Sequence, residues 1–111
     1  MKILAAILAL AALCSAQTNS SDPANGKRLF LRNGCYQCHG YGGQGGLAGP
    51  RLAQTKLTVA GFTAFVRNPP PSGMPPYRTQ VMTDRELADV WAYIRTFPEP
   101  TPVKDIPLLN Q

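Results

Sequence analysis

Cys35-Tyr36-Gln37-Cys38-His39 decides the reading of this chain. Two thiols three positions apart, followed at once by an imidazole, match the pattern for covalent attachment of one haem c. The spacing has a mechanical reason. Two thioether bonds to the porphyrin vinyls fix one edge of the macrocycle, and the next residue projects its imidazole at the iron from one face. His39 is the sole histidine of the 111 residues, so it cannot be read apart from the cysteines beside it. To bind iron it presents a neutral ring nitrogen, and its other N–H needs an acceptor that fixes the tautomer. The competing uses of such a cluster fare worse. A zinc site wants four ligands, and beyond residue 16 only Cys35, Cys38 and His39 are of soft or borderline type. A disulfide across two intervening residues is strained, and a thioredoxin-like motif wants a parallel βαβ setting.

Upstream of the motif, Asp22 can cap a helix with Pro23 at its first position. That helix is expected to run to about Asn33, with Gly34 ending it and leaving the motif free to form a tight loop. Leu29 and Phe30 supply its apolar side. Gly26 lies inside it at a cost of roughly 1 kcal/mol relative to Ala. Either another backbone passes close by, or the first turn is simply weak.

Downstream, residues 40–49 (GYGGQGGLAG) hold six glycines and suit neither helix nor strand. No Gly-Lys-Ser/Thr follows, so they are not a phosphate loop. A second helix is expected from Thr58 to Arg67, with Phe62, Phe65 and Val66 on one side and Pro69 stopping it. The last helix is the clearest. Thr83-Asp84-Arg85-Glu86 is a capping box, and Leu87, Val90, Trp91 and Ile94 form one apolar stripe. Pro98 closes it. Residues 98–111 carry four prolines and are expected to be extended. No strand-like alternation and no internal repeat is present. Gly and Pro together, 10 and 11 residues, predict few helices and long irregular segments, a chain that needs something large at its centre.

The iron's sixth ligand must come from elsewhere, and no second histidine exists. Met74 and Met82 are the candidates. Met74 sits within Pro69-Pro70-Pro71-Ser72-Gly73-Met74-Pro75-Pro76-Tyr77, where prolines restrict the backbone and present the thioether with little entropy left to lose. Gly73 permits a sharp approach to a flat ring. Met82 directly precedes the capped helix and reads as an ordinary apolar residue. Met74 is therefore preferred. A polyproline docking segment is the other use of such a run.

The N-terminus reads as a secretory signal: Lys2, then an apolar run of 11 residues (3–13), then Cys14-Ser15-Ala16 with a cut expected after Ala16. The run is short for a membrane span, and no stable membrane anchor is expected. A lipoprotein signal at Cys14 is disfavoured by Leu13. Removing residues 1–16 leaves 10 basic and 6 acidic residues, a net +4. The basic residues are scattered singly, without the run or stripe that nucleic acid favours. An acidic patch on a protein partner fits better. Residues 17–21 read as a flexible leader, and export places the protein in the periplasm, where c-type haem is attached.

From about Asp22 to Phe97 the chain resembles the class I c-type cytochromes, in particular small bacterial mono-haem ones. The matching features are Gly26 and Phe30 before the cysteine motif, Gly49-Pro50-Arg51-Leu52 after the glycine loop, Gly73-Met74-Pro75, and Glu86 to Ile94 (ELADVWAYI). The resemblance implies an all-α cytochrome c fold, three to four short helices and long loops wrapped around one covalent haem. It implies that the first and last helices cross, with Gly26 and Phe30 against Val90 and Tyr93. It implies that the Pro50 carbonyl receives the His39 N–H and that Met74 completes His/Met iron. Leu52, Phe62, Phe65, Trp91 and Ile94 would wall the haem, and Arg51 would pair with a propionate or stand as an ordinary surface arginine.

The function so implied is electron transfer between redox partner proteins, a dehydrogenase or terminal oxidase among them, by Fe(II)/Fe(III) cycling and without enzymatic activity. Two rivals remain. One is a permanent subunit of a periplasmic dehydrogenase, a loose similarity carried by Phe65 to Tyr77 and the Trp91 helix. The other is a haem enzyme with an open sixth site, which no distal His or paired carboxylate supports.

Overall fold

The structure, a computed structural model, describes residues 20–111. The expected signal peptide and residues 17–19 of the expected leader lie outside the described residues. Four α-helices follow in order: α1 Pro23–Arg32, α2 Cys35–His39, α3 Val59–Arg67 and α4 Asp84–Ile94. Among the described residues there is no strand, in keeping with the all-α expectation.

Local chemistry explains the boundaries. Asp22 caps α1, its carboxylate accepting from the Ala24 N–H at 2.9 Å, and Asn33 closes it by donating its N–H to the Leu29 carbonyl. Thr58 caps α3 through the Gly61 N–H. At α4 the capping box is reciprocal: the Thr83 hydroxyl accepts from the Glu86 N–H, and the Glu86 carboxylate accepts from the Thr83 N–H at 2.8 Å. The motif that was expected to be a tight loop is instead one helical turn, α2. Gly34 enters it in the left-handed conformation (φ 72°), which redirects the chain sharply after α1 and lets the helical geometry restart at once.

The frame is the crossing of α1 on α4. Gly26 is the point of closest approach. A Cβ there would run into the Asp89 carbonyl and stand 2.8 Å from the Tyr93 Cβ, so the two backbones pack as they do because no side chain separates them. This decides between the two uses of Gly26: another backbone does pass close by. Phe30, Tyr93 and Phe97 form a triangle of edge-to-face rings with centroids 4.8 to 5.6 Å apart. Leu29, Met82, Leu87 and Ile94 are buried around them.

A polar latch reinforces the crossing. Asp89 on α4 is buried, yet its carboxylate is fully employed. Oδ1 accepts from the Asp22 N–H at 2.7 Å and Oδ2 from the Asn25 side chain at 2.9 Å. The Arg85 guanidinium stands 3.8 Å away. A negative group thus meets the positive end of α1 where its amides lack helical partners.

Residues 98–111 depart from the extended form expected of them. They carry two 3-10 turns, Val103–Asp105 and Pro107–Leu109, and Asn110 ties these together by donating to the carbonyls of Val103 and Ile106. Val103, Leu108 and Leu109 remain exposed. Among the described residues no helix is long and apolar enough to cross a membrane.

Candidate haem-binding site

Between α2, the loop after it, α3 and the segment before α4 lie two clefts that share walls. One is lined by Cys35, Cys38, His39, Pro50 and Met74 together, with Gly49, Phe65, Gly73 and Tyr77 among the rest. The other runs deeper along Phe30, Leu52, Phe62, Val66, Met82 and Ile94, and again includes Cys35, His39, Pro50 and Met74. Positions spread from 35 to 74 in sequence therefore converge on one space.

Each chemical group is placed by a local cause. The single turn of α2 puts Cys35 half-buried and Cys38 exposed, with His39 buried at its end. Burial pushes the Cys35 thiol above its usual value. His39 Nδ1 lies 2.7 Å from the Pro50 carbonyl oxygen. A carbonyl only accepts, so Nδ1 carries a proton, and in the neutral ring this leaves the lone pair on Nε2. Among the described residues nothing donates to Nε2. Gly49 makes this contact possible: a Cβ there would sit 3.0 Å from the Cys38 carbonyl oxygen and 3.1 Å from His39 Nδ1.

These residues fit a covalent haem. The walls are apolar, one imidazole has its tautomer fixed by a backbone acceptor, and two thiols stand one helical turn apart on the same short helix. A zinc reading fits less well, because among the described residues no three His, Cys, Asp or Glu cluster as metal ligands.

The family model described as cytochrome C oxidase, cbb3-type, subunit III, matches residues 21–94. The chain belongs to this family of c-type cytochromes. Neither the curated proteins nor the solved structures give a match. This cytochrome domain binds haem c covalently through cysteines, and Cys35 and Cys38 lie within the matched residues. Domains of this kind are in general electron carriers.

The structure also revises the walls of the cytochrome's cleft. Trp91 does not line it. Its indole N–H donates to the Leu57 carbonyl at 3.0 Å, and Arg95 lies over its ring at 4.5 Å, so Trp91 fastens α4 to the segment before α3 instead. The stripe at 87, 90, 91 and 94 is wider than the face that meets the cleft, and Trp91 lies at its edge. Phe65 is part of the lining but 43% exposed, so it stands at the mouth. Arg51 lies along the cleft and donates to the Ala53 carbonyl at 3.0 Å.

Met82 lines the deeper cleft while being only 2% exposed. Met74 is partly buried at its mouth. Apart from its own chain neighbours, nothing described lies within 4 Å of where a Gly73 Cβ would be.

One lining residue and one residue behind the lining escaped sequence reading. Tyr77 lines both clefts and donates its hydroxyl to the Asn33 carbonyl at 3.3 Å. Arg67 binds the carbonyls on either side of the turn after Tyr77. The prolines before Tyr77 hinted that it is held, but nothing in the sequence marked Arg67 as other than a helix-terminal cation.

Proposed function

We propose that this cytochrome is an exported mono-haem electron carrier that works between redox partner proteins in the periplasm. The observation that carries the reading is the gathering of Cys35, Cys38, His39, Pro50 and Met74 along one cleft. Cys35 and Cys38 would hold haem c, His39 Nε2 and the Met74 thioether would be its axial ligands, and the Pro50 carbonyl would orient the imidazole. When bound, the haem supplies a one-electron Fe(II)/Fe(III) couple whose potential a methionine ligand raises.

The chain's own residues do the rest. His39 and Met74 would together hold the iron and leave it no position for a substrate, as suits a carrier of electrons. Phe30, Phe62, Val66 and Ile94 exclude water and so disfavour the more highly charged oxidised state. The net charge beyond residue 16, +4, suits a small transient contact with an acidic partner surface.

A second reading has its own support. The tail from 98 to 111 is tied by hydrogen bonds and presents Val103, Leu108 and Leu109 to solvent, as a permanent subunit of a larger oxidoreductase would. A terminal oxidase, the kind of enzyme named in the family description, and a periplasmic dehydrogenase are the partners such a subunit would serve.

The test is a mass and a spectrum. Mature protein from a host able to attach haem should carry one macrocycle bonded to Cys35 and Cys38 and lack residues 1–16. Its oxidised form should show a far-red sulfur-to-iron band that Met74→Ala removes. An unmodified mass would overturn the reading. Size-exclusion of the native protein separates carrier from subunit: the carrier travels alone.

A further inference from the structure

We propose that Arg67 is the positioning residue for the Met74 segment: it closes the loop between α3 and α4 and so sets how firmly the thioether is presented to the cleft. The inference rests on the reading of Met74 as an axial ligand.

Residues 68–82 have no regular structure and contain five prolines, which donate no backbone hydrogen bonds of their own. Something else must hold the segment. Tyr77 is one anchor: its N–H donates to the Val66 carbonyl at 3.1 Å and its hydroxyl to the Asn33 carbonyl. Arg67 is the other. It is the last residue of α3, with its side chain 16% exposed. Nη1 donates to the Tyr77 and Met82 carbonyls, both at 2.7 Å, and Nη2 to the Asp84 carboxylate at 2.6 Å. One guanidinium thereby joins the end of α3, both ends of the 77–82 turn and the start of α4.

The arrangement is not ordinary helix capping. A cation in the last turn usually serves its own helix's free carbonyls, whereas these donors reach 10 and 15 residues ahead. Asp84 is 80% exposed, so that ion pair adds little. The two charge-assisted bonds to half-buried carbonyls matter more. A lysine lacks the planar fork that serves three acceptors at once. Met74 stands three residues before the Tyr77 carbonyl, and its own N–H meets only the Ser72 hydroxyl. Its placement therefore depends on the Tyr77 anchor, and through it on Arg67.

The test uses the haem-loaded protein, with the far-red band and the apparent affinity for added cyanide as readouts, since cyanide binds iron only in the fraction from which the methionine has left. Arg67→Gln should weaken the band and raise cyanide affinity about tenfold to a hundredfold. Arg67→Lys should fall between Gln and the parent, and it serves alone if the Gln variant does not fold. Asp89→Asn is the control: it loosens the α1–α4 latch and should lower the thermal midpoint with cyanide affinity unchanged.

If the Arg67 variants lose thermal stability as Asp89→Asn does and cyanide affinity stays at the parent value, Arg67 is structural only and the proposal fails. Met74→Ala separates the two possible failures. Loss of the band in that variant, beside unmoved Arg67 variants, sinks the Arg67 role alone. Survival of the band sinks the Met74 reading, and the Arg67 proposal with it.

Discussion

The Nδ1 atom of His39 lies 2.7 Å from the carbonyl oxygen of Pro50, eleven residues along the chain. With His39 as the proposed iron ligand, that bond would make the imidazole a better electron donor through its other nitrogen and would favour the oxidised state. Gly49 is the weak point, because a Cβ there would press on His39 Nδ1 and the Cys38 carbonyl at 3.0 to 3.1 Å. Gly49→Ala should lengthen the bond. Losing roughly 0.5–1 kcal/mol of ferric stabilisation would raise the reduction potential by about 20–40 mV for one electron. Spectroelectrochemical titration of the two proteins measures this; a potential that falls or stays put would mean that Pro50 does not tune the ligand.

Met74 and Met82 both line the haem cleft, and truncation should divide them by consequence. Met82 is 2% exposed within the core formed by Leu29, Leu87 and Ile94. Met82→Ala should cost about 2–5 kcal/mol in a denaturant titration, as other buried methionine truncations do, and keep the far-red band at low temperature. Met74→Ala should lose the band at a smaller stability cost, because its side chain is only partly buried. The opposite pattern would transfer the ligand role to Met82.

The Asp89 latch predicts coupled losses. Asp89→Ala strips the Asp22 N–H and the Asn25 amide of their acceptor, at a cost of about 3 kcal/mol. Asn25→Ala removes one of the two bonds and should cost about half as much. Because the pair shares one bond, the double variant should be less damaged than the two losses taken separately. Additive losses in urea midpoints would show that the Asn25–Asp89 bond contributes nothing of its own.

The legible and illegible parts of the chain differ in range. The caps at Asp22 and Thr83 were readable because these residues act on amides two or three positions away. The haem motif was readable for the same reason: Cys35, Cys38 and His39 are neighbours in sequence and in space. The long-range partners were not. Asp89 occurs within the α4 run as one more charged residue, and its burial follows only from where the start of α1 lands. Phe97 lies beyond α4, and only the crossing brings its ring onto Phe30. Trp91 satisfied the helical period, yet a stripe gives a direction without a width, and its indole N–H drew it toward Leu57. The tail misled because prolines forbid long helices while tolerating the 3-10 turn at Pro107–Leu109.

Tyr77 gives the fold an alkaline weakness with a definite sign. Burial pushes its phenol above the ordinary value of 10.0. Charge on Cys35 and Cys38 would add to the shift, but that contribution vanishes once both sulfurs are thioethers. Folding therefore favours the protonated phenol. The stability this group contributes is intact below the unfolded tyrosine's value and is lost as pH climbs from about 10 through the raised folded value. Tyr77→Phe removes the titration along with the bond to Asn33. At neutral pH the variant should be weaker by about 1 kcal/mol, and the gap should close as the parent loses stability above about pH 10. Urea midpoints of the two haem-loaded proteins across that range measure the gap. A gap that stays constant would place the phenol of Tyr77 in water and take it out of the cleft wall.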